Sequence, residues 1–216
     1  MMHDFVPVLT TDNQVGLFDK VTSLFYPSEG SKQFFASDPK QYTQLEYLEN
    51  DGTNYIDTCF KPDNNTRVIV DFQMLETTVS KFLYGCRNSS YYNAFCFLIT
   101  SATNNFRASY GSTKAIDFTT NVLERYTIDH NKNVAILNGV TNSTVEQSFT
   151  SNINLYLFCG NRNGEIEGIA KARIYSCKIY DNDVLIRDYI PVQDEAGKKG
   201  LFDKCNKIFY ELKKPL

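Results

Sequence analysis

The sequence contains no tryptophan and only two histidines, His3 and His130. Its six cysteines, at 59, 86, 96, 159, 177 and 205, never form a Cys-x-x-Cys pair. A zinc site would therefore have to gather cysteines from distant segments, which no spacing supports. Several of these cysteines lie inside apolar runs such as Phe95-Cys96-Phe97 and Leu157-Phe158-Cys159, where a thiol packs as a small hydrophobe, so free thiols and synthesis in a reducing compartment are the expectation. Basic excess is also missing: the net charge is -3 and the pI near 5.5. Without a Lys/Arg cluster the release of counterions has little to act on, and nucleic acid is set aside as a partner. No apolar run reaches the length of a membrane span, and the N-terminus lacks a basic start followed by an apolar stretch, so neither a membrane nor a secretion signal is expected.

What the sequence does contain is a repeat. Residues 4–26, DFVPVLTTDNQVGLFDKVTSLFY, align without a gap onto residues 188–210, DYIPVQDEAGKKGLFDKCNKIFY, at an offset of 184 with ten of 23 positions identical. The identities are Asp4/Asp188, Pro7/Pro191, Val8/Val192, the runs Gly16 to Lys20 and Gly200 to Lys204, and Phe25-Tyr26/Phe209-Tyr210. The unit reads as strand, turn, Gly-Leu-Phe-Asp corner, strand. Its first copy reads as the closing piece of a sandwich whose body lies outside this chain. Residues 1–39 are accordingly expected to form an arm and residues 40–216 a complete domain. The recurrence of Asp19 and Asp203 is explained by the corner, where a carboxylate can accept backbone N–H bonds, rather than by catalysis.

From Tyr42 onward, short strands follow one another. Thr66, Val68, Val70, Phe72 and Met74 alternate with polar neighbours, the period-2 mark of a half-buried strand. In the segment 93–99 both faces are apolar, as in a strand covered on both sides. Phe106, Ala108 and Tyr110 alternate against Arg107 and Ser109. Asn138-Gly139 and Asn163-Gly164 are hairpin signals, because type I′ turns demand positive φ at both central residues. No sustained helical periodicity occurs, and an all-β sandwich is expected.

These residues resemble the concanavalin A-like (laminin G-like) lectin/glucanase group, in the version common in phage tail and surface proteins of gut bacteria. The resemblance is carried by Tyr42 to Glu49 with Gly52 to Thr58, by the hairpin Val134 to Val140, by Ile174 to Tyr180, and by Arg187 to Val192 with Gly200 to Asp203. It implies a jelly-roll β-sandwich, and as function a non-enzymatic virion component that recognises a glycan or other virion proteins, made in the host cytoplasm. A bacterial surface adhesin fragment is the alternative, and a glycoside hydrolase the third reading. Hydrolases of this fold use a row of carboxylates, Glu-x-Asp-x-x-Glu. Here Glu165 and Glu167 stand without a third acid, beside a turn, so catalysis is not expected.

A glycan offers an apolar C–H face ringed by hydroxyls, which aromatic rings, amides and Arg recognise. Arg87, Asn88, Tyr91, Tyr92 and Asn93 have that make-up in an expected loop, and Arg107 and Tyr110 could contribute from the next strand pair, beside Asn104, Asn105 and the Asn161 to Asn163 segment. No cofactor is expected, although the resemblance allows calcium through Asp57, Asp63 or Asp117. The arm's apolar residues need cover, and oligomerisation through the arm is expected on equal terms with packing against its own chain.

Overall fold

The computed structural model describes residues 5–9, 15–19, 24–27, 42–90, 92–100, 105–112 and 114–215. The chain divides into two compact units, Met1–Gln41 and Tyr42–Leu216. The small unit is a three-stranded antiparallel meander of β1 (Phe5–Leu9), β2 (Val15–Asp19) and β3 (Leu24–Pro27).

The large unit opens with β4 (Thr43–Gln44), β5 (Leu48–Asp51), β6 (Ile56–Asp57), β7 (Thr66–Met74), β8 (Phe82–Arg87) and β9 (Ala94–Ile99). It continues through β10 (Asn105–Gly111), β11 (Lys114–Thr119), β12 (Arg125–Asn131), β13 (Val134–Leu137), β14 (Val140–Ser143) and β15 (Tyr156–Leu157). The last strands are β16 (Gly160–Arg162), β17 (Glu165–Glu167), β18 (Lys171–Asp181), β19 (Val184–Gln193), β20 (Lys199–Asp203) and β21 (Ile208–Glu211). Two sheets result. One runs β11-β10-β9-β8-β15-β6 with β16 and β17 beside β8, and the other runs β14-β13-β12-β7-β18-β19-β20-β21 with β4 and β5 at its margin. The body is thus an all-β jelly-roll sandwich, without a helix among the described residues.

Local sequence explains the turns. Asn138 and Gly139 sit at φ 44° and 87°, and Asn163 and Gly164 at 54° and 97°, so both Asn-Gly pairs close hairpins as their chemistry demands. Asp203 is buried at the corner between β20 and β21. Its Oδ1 accepts the backbone N–H of Asp188 and of Cys205, each at 3.0 Å, and its Oδ2 accepts from Asn206 Nδ2 at 2.7 Å. This carboxylate serves the corner.

The sheets meet on an aromatic core. Along β7 the inward residues Val68, Val70, Phe72 and Met74 are all buried. Phe72 packs edge-on against Phe97 and Phe106, both with ring centroids at 5.5 Å. Truncating such a ring to Ala costs about 3–5 kcal/mol, enough to undo much of a domain's stability. The other histidine-scale feature of this core is His130, buried on β12 with its ring stacked on Phe95 at 4.1 Å. All six cysteines are free thiols, Cys59 and Cys205 exposed and the other four buried.

Candidate functional site

The outer face of the β11-to-β8 sheet, turned away from the core, is where polar and apolar side chains converge. Strand register fixes which residues share it. Ala94, Cys96 and Leu98 of β9 stand beside Gly111, Ser109 and Arg107 of β10. Arg107 and Ser109 in turn stand beside Asp117 and Ala115 of β11. Across β9, Gly85 and Phe82 of β8 face Cys96 and Leu98. The central positions are small, so the face is hollowed into a cavity of about 330 Å³ lined by Phe82, Arg87, Ala94, Cys96, Leu98, Arg107, Ser109 and Ala115. That volume lies at the small end of ligand pockets, about 300–1,000 Å³.

A register shift in β8 between Phe82 and Tyr84 shapes one wall. It lets both Leu83 and Tyr84 turn into the core and leaves Phe82 on the outer face. The Phe82 ring is seated on glycine: a Cβ on Gly85 would come within 3.0 Å of it and one on Gly160 within 3.1 Å. Without those glycines the ring would be lifted into the hollow.

Two guanidiniums flank the apolar floor. Arg87 is only 3% exposed. Its Nε donates to Glu167 Oε2 at 2.7 Å, its Nη2 to Glu167 Oε1, and its Nη1 to the Asn88 carbonyl at 3.3 Å. Arg107 makes the same two-pronged contact with Asp117, at 2.7 and 2.8 Å, in a pair that is nearly half exposed. The Asp117 hydrogen bonds raise the Arg107 pKa further and hold it cationic. Each Arg–carboxylate pair is electrically balanced and fixed in orientation. Cys96 in the floor donates to the Cys86 carbonyl at 3.1 Å, and burial raises its pKa, so it is a protonated thiol and not a nucleophile.

The residues nominated from the sequence separate in the structure. Arg87 and Arg107 line the same cavity. Arg87 ends β8 instead of lying in a loop. Asn88 shapes the following turn, its Oδ1 accepting from the backbone of Ser90 at 3.0 Å and of Tyr92 at 2.7 Å. Asn93 holds a left-handed φ of 52° in the same turn. Tyr92 is 51% exposed. Tyr91 lies outside the described residues, as does Asn104. Tyr110 requires correction: its ring is wholly buried in the core, its hydroxyl donates to the carbonyls of Asn64 and Gln147, both at 3.0 Å, and no ligand on the outer face can reach it.

The two acids weighed for hydrolysis are both taken by arginine, Glu167 by Arg87 and Glu165 by Arg162 at 2.7 Å. The aspartates weighed for calcium are engaged by protein donors as well. Asp57 accepts from the Cys59 backbone at 2.8 Å, Asp63 from the Asn65 backbone at 2.7 Å, and Asp117 from Arg107. Among the described residues, no three His, Cys, Asp or Glu side chains are grouped to hold a metal ion. Sequence reasoning missed Phe82, Ala94, Cys96, Leu98, Ser109 and Ala115. For β9 and β10 the signal was available, since these are the alternate positions opposite the core residues.

Fold and site together define a jelly-roll β-sandwich with a small, charge-balanced pocket on an outer sheet face. No protein-family model and no curated protein matches the sequence. Among solved structures the chain is similar to the CBM40 of the Ruminococcus gnavus IT-sialidase, with 15% identity, a TM-score of 0.47, and coverage of 66% of this chain and 93% of that one. It is similar to the same module bound to α2,3 sialyllactose, with 16% identity, a TM-score of 0.48, and coverage of 66% and 92%. It is also similar to domains LG4-5 of the mouse laminin α1 chain, with 11% identity, a TM-score of 0.42, and coverage of 79% of this chain and 51% of that one. The sandwich stands on the strand order and core described above, independently of these likenesses.

Proposed function

We propose that the large unit is a non-enzymatic recognition module that takes one sugar ring in the outer-face pocket. The observation that carries this reading is the pair of fixed, balanced guanidiniums, Arg87 with Glu167 and Arg107 with Asp117, on either side of an apolar floor of about 330 Å³. Ring hydroxyls would meet the half-exposed Arg107–Asp117 pair, which needs no reorganisation, and the C–H face would meet Phe82 and Leu98. Because each guanidinium already has its counter-ion, the pocket favours a neutral sugar over an anion. Binding would need no metal, because the aspartates considered for one are held by protein donors.

The setting we propose is a phage tail or surface appendage, with the module engaging a host glycan or another virion protein. Its support is the sequence resemblance together with six free thiols, which suit assembly in a reducing host cytoplasm. The test is a neutral-glycan array followed by calorimetry on Ser109→Trp, which fills the pocket, and Arg107→Ala, which removes one flank. Ser109→Trp should abolish binding and Arg107→Ala should weaken it about tenfold, roughly 1.4 kcal/mol, while EDTA changes nothing. Glycan binding that survives Ser109→Trp would refute this site.

A further inference from the structure

The two copies of the sequence repeat are also paired alike. In the small unit Phe5 faces Asp19, Val8 faces Gly16, Leu17 faces Tyr26 and Phe18 faces Phe25. Moved by the 184-residue offset, these become Tyr189 with Asp203, Val192 with Gly200, Leu201 with Tyr210 and Phe202 with Phe209, which are the pairs of β19, β20 and β21. A shared turn could preserve the Gly-Leu-Phe-Asp sequence alone. Identity of register in both ladders means more, because it places corresponding positions on corresponding faces of the two meanders.

In the large unit this meander has neighbours that complete it. The free edge of β19 holds β18, through Tyr189 with Cys177, Asp188 with Lys178 and Arg187 with Ile179, and then β4, through Val192 with Gln44. Tyr189, Val192 and Leu201 are buried there. In the small unit the strand order is β1-β2-β3, and β1, which corresponds to Tyr189–Gln193, pairs with β2 alone among the described residues. Phe5, Val8 and Leu17 occupy the positions that burial claims in the second copy. A three-stranded sheet whose edge strand is unpaired on one side is a template for strand addition.

We propose that Phe5–Pro27 is a closing meander for a second sandwich of this same build whose own closing meander is absent, and that β1 takes the place Tyr189–Gln193 holds in β19, antiparallel beside the end of a β18-type strand and a β4-type strand. A second copy of this chain as it stands does not fit the role, because its β18 already carries β19. The partner is therefore a sandwich body that lacks its own closing meander.

The first test grafts residues 4–26 in place of 188–210 within the full chain, which alters only the positions that differ between the two copies. The proposal expects cooperative unfolding within about 10 °C of the parent, the shift from a few kcal/mol in a domain of this size. A folded graft supports the proposal. Should the graft not fold, a glycine cycle in the full chain decides. A Cβ on Gly200 would lie 2.4 Å from the Tyr210 carbonyl oxygen and 2.7 Å from the Phe209 ring, so Gly200→Val dislodges the resident meander. Gly16→Val at the matching position should leave melting unchanged on its own. In the Gly200→Val background, the first meander should take the vacated edge, giving dimers by exchange in light scattering, and adding Gly16→Val should abolish both the dimers and the melting transition. Additive effects of the two substitutions, following a graft that does not fold, overturn the proposal.

Discussion

Acidification should destabilise this protein through one residue, His130. Its ring is wholly buried, stacked on Phe95 with 13° between planes, and its Nδ1 lies 3.1 Å from the Tyr84 hydroxyl. Burial pushes its pKa down to about 3 from an ordinary 6.5, opposed in part by a hydrogen bond with the Lys132 backbone. The folded pKa lies below the unfolded one, so the unfolded chain binds the proton more readily. The stability associated with neutral His130 is thus complete above pH 6.5 and declines as the pH falls from 6.5 toward 3. Each pH unit in that window removes about 1.4 kcal/mol, so at pH 5 the loss is about 2 kcal/mol, or roughly 4–8 °C in Tm. Scanning calorimetry at pH 7, 6 and 5 measures it. His130→Gln should lower the Tm at pH 7, because packing and the Tyr84 contact are disturbed, yet it should flatten the slope between pH 7 and 5. Equal slopes in the wild type and the variant would refute the reasoning.

Alkylation under denaturing conditions without reductant should modify all six cysteines, since burial raises the Cys86 pKa to about 12 and keeps its thiol inert; mass spectrometry showing one native disulfide would contradict the reduced setting. A chain beginning at residue 40 should fold cooperatively with all-β circular dichroism, because the large unit has its own opening strands and its own closing meander of β19, β20 and β21; a molten product would refute the independence of that unit.

Much of the sandwich could be read from period and turn chemistry. The alternation in β7 predicted its buried face residue by residue, and both Asn-Gly pairs closed the hairpins expected of them. Another turn was silent because Lys132, at φ 56°, carries no such signal, whereas Asn182-Asp183, at 48° and 62°, are residue types that favour positive φ and could have been read as a turn. The apolar run Leu157-Phe158-Cys159 does not continue as strand beyond Leu157, because Phe158 turns to φ 66° and gives its N–H to the Leu83 carbonyl at 2.7 Å. For the site, Arg87 and Arg107 were nominated from the sequence, one in an expected loop and one on a strand, but the pocket between them was not legible. It depends on the register shift that turns Phe82 outward, and that shift is set by pairing with a strand more than ten residues away. Tyr110 could have been placed correctly, since its alternation with Arg107 already put the two on opposite faces.

The two outer faces of the sandwich explain why recognition is assigned to one of them. On the sheet containing β7, β12 and β18, arginines lie over tyrosines: Arg125 over Tyr175 at 3.5 Å, Arg173 over Tyr47 at 4.4 Å, Arg67 over Tyr180 at 5.4 Å. Each also holds an acid, Asp71, Glu49 and Asp129 respectively. The aromatic faces a sugar would use are thus covered by cations, and a ligand would have to displace both contacts of each arginine to reach them. On the opposite sheet the arginine–acid pairs stand at the margins of the hollow, and its floor of Ala94, Cys96 and Ser109 carries no ring or charge that must move. A ligand entering there displaces water and little else, so the same residue types that seal one face leave the other open for binding.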